Sequence, residues 1–129
     1  MTRRILLVED NPANQLLASS VLERDGFEVA VAESAQDAQR AIMLHKPDLI
    51  LMDIQLPEMD GLSFTRQLKA DPSTANITVV AMTAHAMVGD REEAIAAGCA
   101  GYISKPIDTR ALGEQVRAFL QAETAEAGT

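Results

Sequence analysis

The stretch LILMDIQLPEMDG, from Leu49 to Gly61, decides the fold of this chain. Its four leading apolar residues indicate a strand that is buried on both faces, and Asp53 follows that strand directly. Pro57 and Gly61 then favour a turn into the next helix. No second carboxylate occurs before Glu58, so Asp53 needs partners from other parts of the chain to form a site.

Length, charge and cysteine content narrow the class of protein. The 129 residues fit one domain, and 47% hydrophobic with 23% charged residues is an ordinary globular composition. The net charge of −8 argues against direct nucleic-acid binding, because a phosphate backbone requires a basic surface. Cys99 is the only cysteine, which excludes an intrachain disulfide. The lack of a signal-peptide core or a membrane-length apolar run indicates a cytoplasmic protein without membrane insertion.

Strand-like and helix-like segments alternate along the whole chain. The strand-like runs lie at residues 5–8, 27–31, 49–52, 77–82 and 102–103. Amphipathic segments of helical period follow each of them. Five such units predict an α/β fold with a doubly wound parallel sheet and helices on both faces.

Capping residues mark the predicted helices. Asn11, Ser34 and Asp60 are candidate N-caps, whereas Gly26 and Gly98 are placed to end helices.

Two further expectations concern the first and the last helix. Ala13, Leu17 and Val21 are predicted to form the buried face of the first helix. The last helix is predicted to begin at Asp108 or Thr109.

Polar side chains follow four of the five strands. They are Glu9 and Asp10 after the first, Asp53 after the third, Thr83 after the fourth, where the small Ala84 follows it, and Ser104 and Lys105 after the fifth. In such sheets ligands bind beyond the carboxyl ends of the strands. Clustered carboxylates repel each other unless a cation lies between them, and an all-oxygen set favours Mg²⁺, or Mn²⁺, over zinc. The alternative is that these are solvated loop residues.

Four motifs together resemble the receiver domain of response regulators in two-component signalling. They are LLVEDN at residues 6–11, LILMDIQLPEMDG at 49–61, VVAMTAHA at 79–86 and GYISKPI at 101–107. The resemblance is to stand-alone regulators of the cell-division type, and it implies a flavodoxin-like fold with strand order 2-1-3-4-5. It places the receiver domain at 1–122 and a short flexible tail at 123–129, without an output domain.

The resemblance also implies roles for the residues at the strand ends. Asp53 would accept a phosphoryl group as a carboxylate nucleophile. Mg²⁺ would be held by Asp10, by Asp53, by the backbone carbonyl of Gln55 and, through water, by Glu9. The phosphoryl group would be contacted by the residues that follow the last two strands, namely Thr83, Ala84 and Lys105. The peptide bond between Lys105 and Pro106 would be cis.

A conformational switch is implied for Thr83 and Tyr102, with Thr83 moving toward the phosphoryl group and the ring of Tyr102 turning inward. Tyr102 has the plainer interpretation of a half-buried strand residue. Gln55 and His85 occupy positions that influence phosphoryl lifetime in this family. For His85 the plainer interpretation is a surface loop residue.

The expected partners are a histidine kinase or phosphotransfer protein and a downstream protein that reads the face of the fourth helix, fifth strand and fifth helix. A monomer or weak dimer is expected. One alternative is a receiver module excised from a hybrid histidine kinase. Another is a small Mg²⁺-dependent aspartyl phosphohydrolase, which Gln55 disfavours because those enzymes usually carry a second acid at that position. A nucleotide or flavin module lacks support because no glycine-rich phosphate motif occurs.

Overall fold

The computed structural model describes residues 2–56, 59–83 and 88–127, without the side chains of 88–90 and 122–127. Five strands alternate with five helices in these ranges. In chain order the elements are β1 (Arg4–Val8), α1 (Pro12–Arg24), β2 (Glu28–Ala32), α2 (Ala35–Leu44), β3 (Leu49–Asp53), α3 (Gly61–Ala70), β4 (Thr78–Thr83), α4 (Val88–Ala97), β5 (Gly101–Ser104) and α5 (Leu112–Ala127). None of the described helices has the length and apolar character needed to cross a membrane.

All strand pairs of the sheet are parallel, in the order β2-β1-β3-β4-β5. This confirms the predicted doubly wound sheet and its strand order. The apolar residues of α1 and α5 pack on one face of the sheet, and those of α2, α3 and α4 pack on the other. Because β1, β3 and β4 are covered on both faces, they are almost entirely buried, as their continuous apolar runs predict.

The predicted helix caps are present. The side chains of Asn11, Ser34 and Asp60 accept hydrogen bonds from the backbone N–H groups of Asn14, Asp37 and Leu62, at 3.1, 3.1 and 2.8 Å respectively. Gly26 and Gly98 follow α1 and α4 with φ of +96° and +110°, a conformation that favours glycine. The starts of α1, α2 and α3 are therefore set by local sequence.

The predicted buried face of α1 is wrong at two of its three positions. Ala13 and Leu17 are exposed, Val21 is buried as predicted, and Ala18 and Leu22 complete the buried face. Residues spaced by four drift about 40° around the helix axis at each step, so positions 13, 17 and 21 do not stay on one narrow stripe. The two other buried residues follow Ala18 by three and by four positions, a spacing that places all three on one face of the helix.

The last helix begins later than predicted. Asp108 caps a short turn, in which its carboxylate accepts the N–H of Arg110 at 2.9 Å, and α5 proper starts at Leu112. Leu112, Val116 and Leu120 are buried at helical spacing, and Phe119 is half-buried. Helix α5 continues to Ala127, past the domain boundary predicted at residue 122. The flexibility of the tail at 123–129 stays a prediction.

Candidate functional site

Three carboxylates converge at the carboxyl edge of the sheet. Glu9 and Asp10 follow β1, and Asp53 is the last residue of β3. Each offers a carboxylate oxygen, and these three atoms lie within 4.8 Å of one another. Glu9 and Asp53 are 1% and 4% exposed, whereas Asp10 faces solvent. Buried like charges at this spacing are unfavourable unless a cation is bound among them.

Lys105 supplies a cation to this cluster. Its Nζ atom donates to Glu9 Oε1 at 2.8 Å and to Asp53 Oδ2 at 2.9 Å. The backbone N–H of Lys105 donates to the carbonyl of Thr83 at 2.7 Å, which ties the loop after β5 to the end of β4. The peptide bond to Pro106 is cis, as the resemblance implies.

The ammonium group of Lys105 is partly buried, and burial by itself lowers its pKa. The hydrogen bonds and charges of Glu9 and Asp53 outweigh that effect and raise the pKa of Lys105 above its ordinary value. The side chain is therefore charged at neutral pH.

Both oxygens of Asp53 are engaged. Oδ2 accepts from Lys105, and Oδ1 accepts the backbone N–H of Gln55 at 2.9 Å. The side chain is therefore fixed from two sides at the tip of a buried strand. Gln55 itself is exposed, and its N–H bond to Asp53 places its backbone beside the cluster.

Two residues that hold Glu9 were not predicted as site residues. Asn11 donates its N–H to Glu9 Oε2 at 3.4 Å, and Gln15 donates its side-chain amide to the Glu9 carbonyl at 2.6 Å. From the sequence, Asn11 is predicted only as an N-cap, and Gln15 is not predicted to contact the site. The signal for Gln15 in the sequence is its position one helical turn after Asn11, where a long amide side chain can reach back over the start of α1.

Gly61 allows α3 to begin directly against the end of β3. An added Cβ at this position would clash with the carbonyl oxygen of Asp53 and lie 2.8 Å from Cα of Ile54. The N–H of Gly61 also donates to the carbonyl of Ile54 at 3.1 Å. Glycine is therefore required here by close backbone approach, next to the residue at the centre of the cluster.

Thr83 and Tyr102 lie on the same face of the sheet. Thr83 is buried at the end of β4 and pairs with Ser104, while Tyr102 pairs with Ala81, two residues earlier on β4. Because side chains alternate along strands, residues 81 and 83 share a face with 102 and 104. Tyr102 is half-buried against the core beneath α3 and α4, as its plainer interpretation requires. Its switch role stays a prediction.

Ala84 and His85 lie outside the described residues, as do Pro57 and Glu58. The structure thus brings together Glu9, Asp10, Asp53 and Lys105, with Gln55 alongside. The proposed roles of Ala84 and His85 stay predictions from sequence.

Comparison with known proteins identifies the class of protein that has this sheet and this acidic cluster. A family model described as response regulator receiver domain matches residues 5–117. The chain belongs to this family, in which phosphorylation of an aspartate and a conformational switch are typical.

Individual relatives narrow the comparison. The chain is 43% identical over 120 residues to the polar-differentiation response regulator DivK of Brucella ovis, covering 93% of this chain and 98% of that protein. A CheY-like receiver domain protein from Methanospirillum hungatei JF-1 superposes with a TM-score of 0.88 and 28% identity, covering 98% of this chain and 99% of the other. The receiver domain of sensor histidine kinase PA1611 from Pseudomonas aeruginosa PAO1, solved with a magnesium ion coordinated in its active site cleft, gives a TM-score of 0.84 and 35% identity, with 94% and 99% coverage.

Proposed function

We propose that Asp53 accepts a phosphoryl group from a histidine kinase or phosphotransfer protein, and that a partner protein reads the resulting conformational change. In the transfer, a carboxylate oxygen of Asp53 forms a bond to phosphorus while the donor's N–P bond breaks. The observation that carries this proposal is the setting of Asp53. It is a buried carboxylate, fixed at a strand tip, with the Lys105 ammonium 2.9 Å away.

The residues of the acidic cluster fit a magnesium ion, with manganese as the alternative. The donor set is all oxygen, and its three carboxylate atoms lie within 4.8 Å of one another. Asp10, Asp53 and the Gln55 carbonyl would bind the ion directly, and Glu9 would bind it through water. When bound, the ion supplies positive charge that neutralises the transferred group. The magnesium site of the PA1611 receiver domain supports this assignment.

Thr83 and Lys105, together with Ala84, would contact the phosphoryl group. Lys105 already lies against Asp53, so its ammonium can hold a phosphoryl oxygen by a short movement. Thr83 would donate its hydroxyl to the same group and thereby couple it to Tyr102 on the adjacent strand. His85 and Gln55 would influence how long the phosphoryl group survives.

The downstream partner would bind the α4–β5–α5 groove, a surface cavity of about 480 Å³. We define this groove by Arg91, Ile95, Tyr102, Pro106 and Phe119 among its lining residues. It includes the half-buried ring of Tyr102, so a movement of that ring changes the surface that a partner contacts.

We further propose that the protein is a cytoplasmic signalling domain, monomeric or weakly dimeric, and not an enzyme that acts on external substrates. The likeness to DivK over 98% of that protein supports a single-domain regulator. The likeness to receiver domains of sensor histidine kinases supports the alternative of a module from a hybrid kinase. Transfer from a panel of histidine kinases and phosphotransfer proteins, compared by rate, would identify the physiological donor.

Phosphorylation by a small donor tests the proposed chemistry. Incubation with acetyl phosphate and Mg²⁺ is expected to add the mass of one phosphoryl group, measured on the intact protein by mass spectrometry. Chelation of Mg²⁺ with EDTA is expected to prevent the gain because the clustered carboxylates then oppose the approach of an anionic donor. An unchanged mass with Mg²⁺, or the same gain with EDTA, would contradict the proposal.

Gly61→Ala is expected to impair both folding stability and phosphorylation. The added methyl group overlaps the backbone of Asp53 and Ile54, which cannot move without shifting the strand tip. Overpacking of this kind costs about 1–3 kcal/mol of unfolding free energy, measurable by urea denaturation. The rate of phosphorylation by acetyl phosphate is expected to fall as well because Asp53 is displaced.

Gly26→Ala is the matched control for Gly61→Ala. A Cβ at Gly26 meets no atom within 4 Å, but its φ of +96° makes alanine strained there by about 1–2 kcal/mol. The two variants should therefore lose similar stability, whereas only Gly61→Ala should slow phosphorylation. Equal phosphorylation rates in the two variants would show that Gly61 does not position Asp53.

A further inference from the structure

Arg91 lies over the ring of Tyr102. Its guanidinium carbon lies 5.6 Å from the centroid of the tyrosine ring, within the range of a cation–π contact. Arg91 is exposed on α4, and Tyr102 is half-buried on β5. Among the side chains that the structure describes, no carboxylate forms a salt bridge with Arg91. Among the described residues, the ring of Tyr102 is therefore the contact found for the Arg91 guanidinium.

Tyr102 also packs against the core. The ring packs at the edge of the apolar cluster beneath α3 and α4, which includes Ala94 of α4. Its partner on β4 is Ala81, which contributes only a methyl group beside it. The ring therefore contacts both the apolar core and a surface cation.

We propose that Arg91 is the positioning residue for Tyr102, holding its ring at the surface of the α4–β5–α5 groove through the cation–π contact. We take the described position of the ring, lining the groove with Arg91 over it, as the state that precedes phosphorylation, and the contact favours that state. A contact of this kind at an exposed site changes a population ratio by about two- to five-fold. The signalling consequence rests on the proposed function, since it assumes that phosphorylation turns the ring inward.

The sequence offers a direct measurement because Tyr102 is the only tyrosine. Protein labelled with ¹³C-tyrosine gives a single set of ring resonances, which report the rotamer ratio of Tyr102. In unmodified protein, Arg91→Met is expected to shift these resonances and to raise the inward fraction about two- to five-fold. Arg91→Lys keeps a cation over the ring and is expected to resemble the wild type.

Arg117→Met is the matched control, because Arg117 lies 5.5 Å from the ring of Phe27 in a second cation–π pair. This variant also loses an arginine, but its contact is with Phe27 and not with Tyr102, and it should leave the Tyr102 resonances unchanged. Wild-type resonances in Arg91→Met would overturn the proposal. An effect of Arg91→Lys equal to that of Arg91→Met would also overturn it, because the cation would then not be the cause.

Titration with Mg²⁺ and beryllium fluoride, a mimic of the aspartyl phosphate, tests the signalling consequence. If inward rotation accompanies binding, Arg91→Met should bind the mimic about two- to five-fold more tightly than the wild type. Unchanged affinity would overturn this consequence. A wild type that does not respond to the mimic would contradict the proposed function instead, and the comparison of unmodified proteins would still decide whether Arg91 holds the ring.

Discussion

Asp53→Asn is expected to abolish the phosphate that the protein gains from acetyl phosphate and Mg²⁺. The amide that replaces the carboxylate is not a competent nucleophile toward phosphorus. It has nearly the same shape, and its oxygen can still accept the N–H of Gln55 that Asp53 Oδ1 accepts in the structure at 2.9 Å. The strand tip should therefore keep its conformation, and the loss of labelling should reflect chemistry and not unfolding. Intact-mass spectrometry with circular dichroism on the same sample measures both.

Asp37→Asn is the control for Asp53→Asn. Asp37 is a half-exposed aspartate on α2 with a salt bridge to Arg40 at 3.6 Å, and it lies outside the acidic cluster. At Asp37 the same change of a carboxylate to an amide should leave the gain of phosphate from acetyl phosphate unchanged. Phosphate that persists in folded Asp53→Asn would place the acceptor on another residue, and Asp10 would then be tested next.

The sheet and the meeting of its polar residues could be predicted because both follow from parallel topology. Once residues 5–8, 49–52 and 77–82 are interpreted as buried strands, their carboxyl ends share one edge of the sheet. That the residues following those strands meet can then be predicted without any knowledge of side-chain conformation. This is why Glu9, Asp10, Asp53 and Lys105 could be brought together from the sequence, and the structure has them in contact or nearly so.

Contacts that depend on distance or helical phase were not predictable in this way. The hydrogen bond from Gln15 to the Glu9 carbonyl depends on how α1 is oriented after its cap. The exposure of Leu17 depends on the same orientation, which the spacing of apolar residues left ambiguous. Likewise, the bonds of Lys105 to both Glu9 and Asp53 follow from the path of the loop after β5. The sequence motif implied the cis bond in this loop but not which oxygens the Lys105 ammonium contacts.

Lys105→Met is expected to affect three measurable properties in different directions. Phosphorylation by acetyl phosphate should slow by about 100-fold, because the variant lacks a cation placed to stabilise the transferring group. Without Mg²⁺ the protein should lose about 3 kcal/mol of unfolding free energy, because Glu9 and Asp53 stay buried without their cation. The affinity for Mg²⁺ should rise, since the ion no longer competes with the ammonium for these carboxylates.

Together these effects allow a test whose expected result a general loss of structure would not produce. Mg²⁺ should raise the urea midpoint of Lys105→Met more than that of the wild type, since the metal replaces the missing charge and binds only the folded state. Lys46→Met is the control, because Lys46 is exposed just before β3, at the opposite edge of the sheet from Asp53. It should show wild-type labelling and an ordinary Mg²⁺ response. If Mg²⁺ stabilised Lys105→Met no more than the wild type, the charges of Lys105 and the metal would not share the same carboxylates, and the proposed ligand set would be wrong.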